Sequence, residues 1–490
     1  MKIVIFGVGR FYQERKAWIP ADIEVAAFLD NNSKLQGQYI ENRIIVSPCE
    51  VSRLSYDKIV LMSVSEESMK SQLIELGVKE ESIWYWERLV SEAYHGTFKL
   101  HCAVRNPIKG YKKKILIIST ALDYNGGTIA AVYAAKALQE RGNNVLLAAP
   151  RGNKDFINEI TEGGINLALC PALPYLHKEE IFLIDQFDAV LVNVFQMLLC
   201  AYEISKIKPV MWWIHEPEGL YKRTLTRFQK YINQNEKSTI DIYAVSNIAK
   251  RNFNLYFPDR IKETFSYGIP DENDGKILKG KTEELIFAIV GNVCPRKAQD
   301  VFVKAARLLN AVEKGKVQFW IIGFAGTDEY SNQIREMAAE DETLKIKGLF
   351  TRQKMEEAYK SVNVLVCPSL EDPLPIVATE SMMWGKPCIV SDGTGTAQYI
   401  EDGKNGFICR TGDPEDLCEK MRWIIHNQEK LPEIGRKARE IYEAHFSMES
   451  FGERLETALQ DTMEHWCNQN QQSKNVYGEQ HEKTGDLCNI

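Results

Sequence analysis

Asp372 and Glu380 stand eight residues apart in LEDPLPIVATESMMWGKP (370–387), directly after the apolar run VLVCPS. Pro373 and Pro375 fix the intervening chain in a turn before a helix begins. The backbone N–H groups at a helix start favour an anion, and carboxylates accept strong hydrogen bonds from sugar or ribose hydroxyls. The same residues also read without a ligand, Asp372 as a helix cap and Glu380 as a solvated helix residue. GNVCPRKAQD (291–300) follows the apolar run LIFAIV. Its glycine lets the backbone approach a ligand, and Arg296 and Lys297 at a helix start suit a diphosphate. The plainer reading is a pair of solvated cations. Gly126 and Gly127, opening a helical stretch, either cradle a phosphate or make a tight turn. His215 with Glu216, after VMWWI, is the best-placed acid/base or substrate-orienting pair, or else a structural histidine. GVGRFY (7–12) with Asp30 resembles half of a dinucleotide fingerprint, Tyr12 standing where the third glycine would be. A Rossmann-like fold without a bound dinucleotide is the simpler reading of it.

These residues need scaffolds, and the apolar runs supply them. Residues 1–100 alternate short apolar runs (2–6, 24–30, 58–64) with helical or loop stretches, which predicts a small parallel sheet with crossover helices. Residues 101–112 carry Pro and Gly and read as a linker. A second α/β block starts at Lys113, with strands expected at 143–150, 188–193, 210–216 and 241–246. A third begins near Leu285, with strands at 317–323, 344–348, 362–369 and 386–392. Most are continuous apolar runs, as in strands covered on both faces. The boundaries drawn from this are 1–100, 113–272 and 273–447, then an amphipathic helix 448–466 and a disordered tail 467–490. Two doubly wound domains in series leave a cleft, and ligands bind beyond the carboxyl ends of the strands.

The 490 residues are 44% hydrophobic and 26% charged, an ordinary globular composition. A net charge of −7 argues against nucleic acid as a partner. No run of 18 apolar residues appears, and the N-terminus lacks the cleavage site of a signal peptide. Eleven scattered cysteines without a CxxC pair fit a reducing cytosol better than a disulfide framework or zinc site. The expected location is the cytoplasm, at the inner face of the cell membrane. KGYKKK (109–114) and YKRTLTRFQKY (221–231) supply cations and aromatics for peripheral membrane contact, or are simply solvated surface.

In order along the chain, VGNVCPRKAQD, IIGFAGTDEY, IKGLFTRQKMEEAYKSVNVLVCPS, EDPLPIVATESMMWGKPCIVSD and EDGKNGFI resemble glycosyltransferase family 4. The resemblance covers about residues 113–460. It implies a GT-B fold, two Rossmann-like domains facing a cleft, here with a small N-terminal Rossmann-like α/β domain added. It implies a retaining hexosyltransferase, without a cofactor, that uses a UDP- or GDP-sugar donor; no Asp-x-Asp motif follows a strand, so transfer is expected to be metal-independent. The expected acceptor is a glycan or polyprenyl-linked molecule of surface polysaccharide biosynthesis. By the resemblance, Glu380 binds the ribose hydroxyls and Asp372 the donor sugar, with His215 near the reacting sugar. Arg296 and Lys297 neutralise the diphosphate, and Gly126, Gly127, Gly291, Asn292, Glu371, Pro373, Leu374, Pro375 and Ile376 complete the donor site. The final helix crosses back to the N-terminal lobe. Asn292 stands where many members have arginine, and Ala298 replaces the usual glycine after the lysine. The alternatives are a GT-B sugar-nucleotide 2-epimerase and a non-catalytic nucleotide-sugar scaffold. A nicotinamide oxidoreductase would rest on GVGRFY alone.

Overall fold

A computed structural model describes residues 1–63, 65–103, 110–175, 184–222, 224–225, 239–273, 284–315 and 317–484, with backbone only from 471. Three sheets form its layers. The first contains β1 (Lys2–Phe6), β2 (Glu24–Leu29), β3 (Tyr39–Ile40), β4 (Arg43–Val46), β5 (Lys58–Leu61) and β6 (Ile83–Tyr85), in the order β3-β4-β2-β1-β5-β6. The second contains β7 (Lys99–His101), β8 (Lys114–Ile118), β9 (Asn144–Ala149), β10 (Asn166–Leu169), β11 (Ala189–Asn193), β12 (Val210–Ile214), β13 (Ile240–Ala244) and β14 (Ile261–Thr264). Its order is β14-β13-β12-β11-β8-β9-β10-β7. The third contains β15 (Leu285–Val290), β16 (Val317–Ile322), β17 (Leu344–Gly348), β18 (Val364–Cys367), β19 (Cys388–Ser391) and β20 (Phe407–Cys409), in the order β17-β16-β15-β18-β19-β20.

The pairings are parallel except β3 with β4 and β7 with β10. Central strands such as β8, β11 and β12 are apolar along nearly their whole length and bury both faces under helices. The fold is therefore α/β with three Rossmann-like sheets. Among the described residues no helix is long and apolar enough to cross a membrane.

Two boundaries differ from the expectation. Lys99–His101, assigned to the small N-terminal unit and the linker, pairs with Asn166–Leu169 at the edge of the second sheet. The stretch 467–484, expected to be a disordered tail, continues the helix Met448–Thr484, and 485–490 lie outside the described residues. Once its first turns are packed, each added residue needs only one more hydrogen bond to extend a helix. Those turns are well anchored. Phe451, Leu455 and Leu459 are buried, and Glu456 meets Arg141 Nε at 2.6 Å and Lys112 Nζ at 3.1 Å. Trp466 Nε1 donates to Ser205 O at 3.1 Å. The helix thus packs on the second sheet after the chain has passed through the third. Most of 221–231, and Lys109, lie outside the described residues.

The first sheet docks on the second through Arg151, whose guanidinium lies 5.9 Å from the Trp18 ring, and through Tyr175, which packs on the first unit's core.

Candidate active site

In the third sheet β15 lies between β16 and β18, so the loops after β15 and β18 diverge at a topological switch point. In the second sheet β8, between β11 and β9, makes the equivalent point. The four loops concerned carry Gly291–Ala298, Pro368–Pro375, Ser119–Asn125 and the turn at Val194. His215 follows β12. The two switch points face each other.

Asp372 is buried and holds two cations, Lys297 Nζ at 2.6 Å and Arg296 Nη1 at 3.1 Å. Burial opposes ionisation of this carboxyl, but Lys297 and Arg296 together outweigh it and keep it below the usual aspartate range. Asp372 caps no helix. The following helix, Ile376–Met383, has Pro375 at its N-cap without a side-chain bond. Arg296 and Lys297 are not free cations either: Arg296 Nη1 also donates to Glu371 O at 2.9 Å.

Glu380, one turn into that helix, is buried rather than solvated. Its Oε1 accepts from Arg352 Nη1 at 2.7 Å and its Oε2 from Tyr359 OH at 2.7 Å. Arg352 continues to Glu272 Oε1, with Nε at 3.0 Å. Tyr133, on the helix Gly126–Glu140, feels the charges of Arg352 and Glu380. Burial above all pushes its hydroxyl up to about 12.

His215 lies edge-on to Trp213 at 4.3 Å, and its Nε2 has no hydrogen-bond partner among the described residues. Burial lowers its pKa to about 3, so the imidazole is neutral across the ordinary pH range. Glu216 turns away from it into the second sheet. It accepts from Phe195 N at 2.5 Å and His215 N at 2.8 Å, clamping the strained turn at Val194 (φ 72°). Burial raises its pKa from 4.5 to about 7, against the pull of the backbone amides. An acid raised in the folded state contributes stability that is complete below its unfolded pKa and lost as pH climbs through the folded one. At about 1.4 kcal/mol per pKa unit, wild type is expected to lose on the order of 3 kcal/mol from this group between pH 4.5 and about 7. Urea unfolding of Glu216→Gln across that range checks it. A variant with the same slope as wild type would contradict the assignment.

The two halves touch through the loop Pro368–Pro375. Glu371 Oε1 accepts from Glu218 N at 2.7 Å and Asn252 Nδ2 at 2.5 Å, so its carboxylate points into the second sheet's unit. Ser246 Oγ donates to Pro373 O, and Tyr267 OH to Leu374 O at 2.8 Å. Gly395 is pressed against this seam: a Cβ there would fall 1.7 Å from Pro373 O. Gly395→Ala is expected to destabilise by about 3 kcal/mol through overpacking, read as a fall in the urea midpoint at unchanged m-value. An unchanged midpoint would show that the seam yields.

Gly126, Gly127, His215, Arg296, Asp372, Pro373 and Leu374 line one cavity of about 130 Å³, with Pro217, Val245 and Tyr267. Lys297 reaches it through Asp372. Asn125 caps the glycine-led helix by accepting from Thr128 N at 3.1 Å, and Ile376 Cδ1 lies 3.8 Å from where a Gly126 Cβ would stand. Pro375 is buried behind the loop. Gly291 (φ 144°) opens the β15 loop and Asn292 is exposed beside it. Arg296 and Lys297 form a short 3₁₀ turn, and the helix proper starts at Gln299. Ala298 adopts the left-handed conformation (φ 56°, ψ 44°) that glycine would take without strain. Asp30 accepts from Val8 N at 3.1 Å and Asn32 N at 2.8 Å, closing the loop that a dinucleotide would occupy. Arg352, Glu272, Tyr359, Tyr267 and Asn252 carried no local signal, since each acts on a partner distant in sequence.

Residues 271–441 match the family described as glycosyl transferases group 1, and 1–84 match the C2185-like N-terminal family. Residues 271–441 are a group 1 glycosyltransferase domain, set in a GT-B fold. An uncharacterised glycosyltransferase of Haemophilus influenzae is 24% identical over 67% of this chain and 94% of its own length. The UDP-Gal:α-D-GlcNAc-diphosphoundecaprenol α-1,3-galactosyltransferase of Escherichia coli is 28% identical over 30% of this chain and 38% of its own. Anabaena HepE, solved with UDP and glucose, superposes with a TM-score of 0.60 at 16% identity, over 71% of this chain and the whole of that one. The glycosyltransferase domain holds Arg296, Lys297, Arg352, Asp372 and Glu380, while Gly126, Gly127 and His215 face it from the second sheet.

Proposed function

We propose that this glycosyltransferase moves a sugar, with retention of configuration, from a UDP- or GDP-sugar to a glycan or lipid-linked acceptor of surface polysaccharide. The carrying observation is the convergence of Lys297, Arg296 and Asp372 on the cavity that holds His215 and the glycine-led helix start. The Escherichia coli relative's named acceptor and the nucleotide in the Anabaena structure support the acceptor and donor classes.

In this reading the bond between the sugar's anomeric carbon and the diphosphate oxygen breaks first. Negative charge grows on the diphosphate, and Lys297, Arg296 and the helix start at Gly126 stabilise it. Asp372 orients Lys297 and meets the donor sugar. His215, a neutral imidazole, hydrogen-bonds the sugar through Nε2. The acceptor oxygen bonds to the anomeric carbon on the face the diphosphate leaves, and its proton departs with the diphosphate. The cavity of about 130 Å³ is below the roughly 300–1,000 Å³ of pockets that enclose a ligand. Closure of the two domains over the donor excludes water.

The test is a panel of UDP- and GDP-sugars with glycan and polyprenyl-diphosphate-linked acceptors. The expected product keeps the donor's anomeric configuration by NMR, and its formation persists in EDTA. Donor epimerisation without acceptor, or tight nucleotide binding without turnover on any acceptor, would overturn the reading.

A further inference from the structure

Glu380 can accept about four hydrogen bonds, and the described residues supply two, from Arg352 and Tyr359. Both donors come from one helix, Arg352–Ser361, which opens with the Thr351 cap accepting from Lys354 N at 3.4 Å. Arg352 is also tied at its Nε and Nη2 to Glu272, on the segment joining the second and third sheets. A guanidinium held by two carboxylates has its plane fixed, and it fixes the rotamer of the buried one. Its charge also keeps Glu272 and Glu380 from facing each other as bare anions. Arg352 is half exposed, with 53% of its side chain open, whereas the Glu380 side chain is 9% open. The free lone pairs of Glu380 are thus set by Arg352 and Tyr359 rather than by solvent.

We infer that Arg352 is a positioning residue. It aims the two remaining lone pairs of Glu380 at the 2′ and 3′ hydroxyls of a nucleotide ribose, and so makes the site selective for ribonucleotide over 2′-deoxyribonucleotide donors. The inference rests on the proposed nucleotide-sugar site and on the ribose role that the resemblance implies for Glu380. A side chain that competed with the ribose for Glu380 would behave in the opposite way, since its removal would tighten nucleotide binding.

The experiment measures dissociation constants of UDP, 2′-deoxy-UDP, GDP and 2′-deoxy-GDP by calorimetry for wild type, Glu380→Gln, Arg352→Met and Arg352→Lys. Circular dichroism and melting confirm that each is folded. One charge-assisted hydrogen bond amounts to about ten-fold or more in affinity. Wild type is expected to prefer the ribo form of its nucleotide by about ten-fold, and Glu380→Gln to lose that preference. Arg352→Met is expected to bind the ribonucleotide about ten-fold more weakly and to show little preference, while Arg352→Lys keeps part of it. If Glu380→Gln loses the preference and Arg352→Met keeps it, or binds more tightly, the positioning role is overturned alone. If Glu380→Gln keeps the preference, or wild type binds none of the four, the reading of Glu380 falls and this inference with it.

Discussion

Lys297→Met is expected to slow sugar transfer by about 10²–10³-fold, the effect of removing one preorganised donor from a developing oxyanion. The side chain is held for that task. Its Nζ is 2.6 Å from Asp372, its exposure is 17%, and Asp372 outweighs burial to keep the ammonium above its usual pKa. A lysine so placed stays charged as the diphosphate leaves and needs no reorganisation. Methionine keeps most of the stem's volume, so the loss isolates charge from packing. Lys297→Arg should recover part of the rate, since the positive charge remains while the compact geometry does not. Steady-state kinetics with saturating acceptor would measure both. A variant within three-fold of wild type would mean that Lys297 is only a structural partner of Asp372.

Asp372→Asn is expected to remove about 3–5 kcal/mol of stability at pH 7, because it strands a buried lysine without its counter-charge. Lys297 would then be left with Arg296, which repels it. The expected pH dependence has a definite sign. Asp372 is held below its ordinary 3.8 in the folded protein, with burial opposing and Lys297 and Arg296 prevailing. Such a group contributes stability above its unfolded pKa and loses it as pH falls through the folded one. The gap between wild type and Asp372→Asn should therefore be full at pH 7 and narrow below about pH 4. Urea titrations at several pH values read this directly, and a gap that widened on acidification would contradict the ion-pair assignment. Transfer should fall as well, since Lys297 loses the group that aims it.

Long apolar runs were easy to read in the sequence, and short edges were not. β8, β11, β12 and β15 are five or six residues long, with four to six of them apolar and covered on both sides, so their burial is written in composition. β14 is IKET, exposed along much of its length, and β3 has two residues; edge strands of this kind carry no hydrophobic period. Lys99–His101 is set by its antiparallel partner in β10, a pairing that local pattern does not encode. The site divides in the same way. Asp372, Glu380, Arg296 and Lys297 stood out because glycine, proline and charge follow apolar runs. Their pairing spans 75 and 76 residues in sequence, and no local rule joins them. Arg352, in TRQKMEEAYK, has the composition of a solvated helix face, and its bond to Glu380 exists only in the assembled sheet. Glu371 was expected to complete the donor site beside Asp372. One residue's step along an extended loop turns it to the opposite side, where Asn252 and the Glu218 amide hold it.

The most direct measurement is a calorimetric titration of UDP, GDP, UMP and GMP into wild type, Lys297→Met and Glu380→Gln. One base is expected to be preferred, and its diphosphate to bind at least about ten-fold more tightly than its monophosphate, the size of one charge-assisted contact. Lys297→Met should abolish that diphosphate advantage and leave monophosphate binding nearly intact. Glu380→Gln should weaken diphosphate and monophosphate alike. Equal binding of all four nucleotides to the three proteins, or none to wild type, would contradict a nucleotide-sugar site between the second and third sheets.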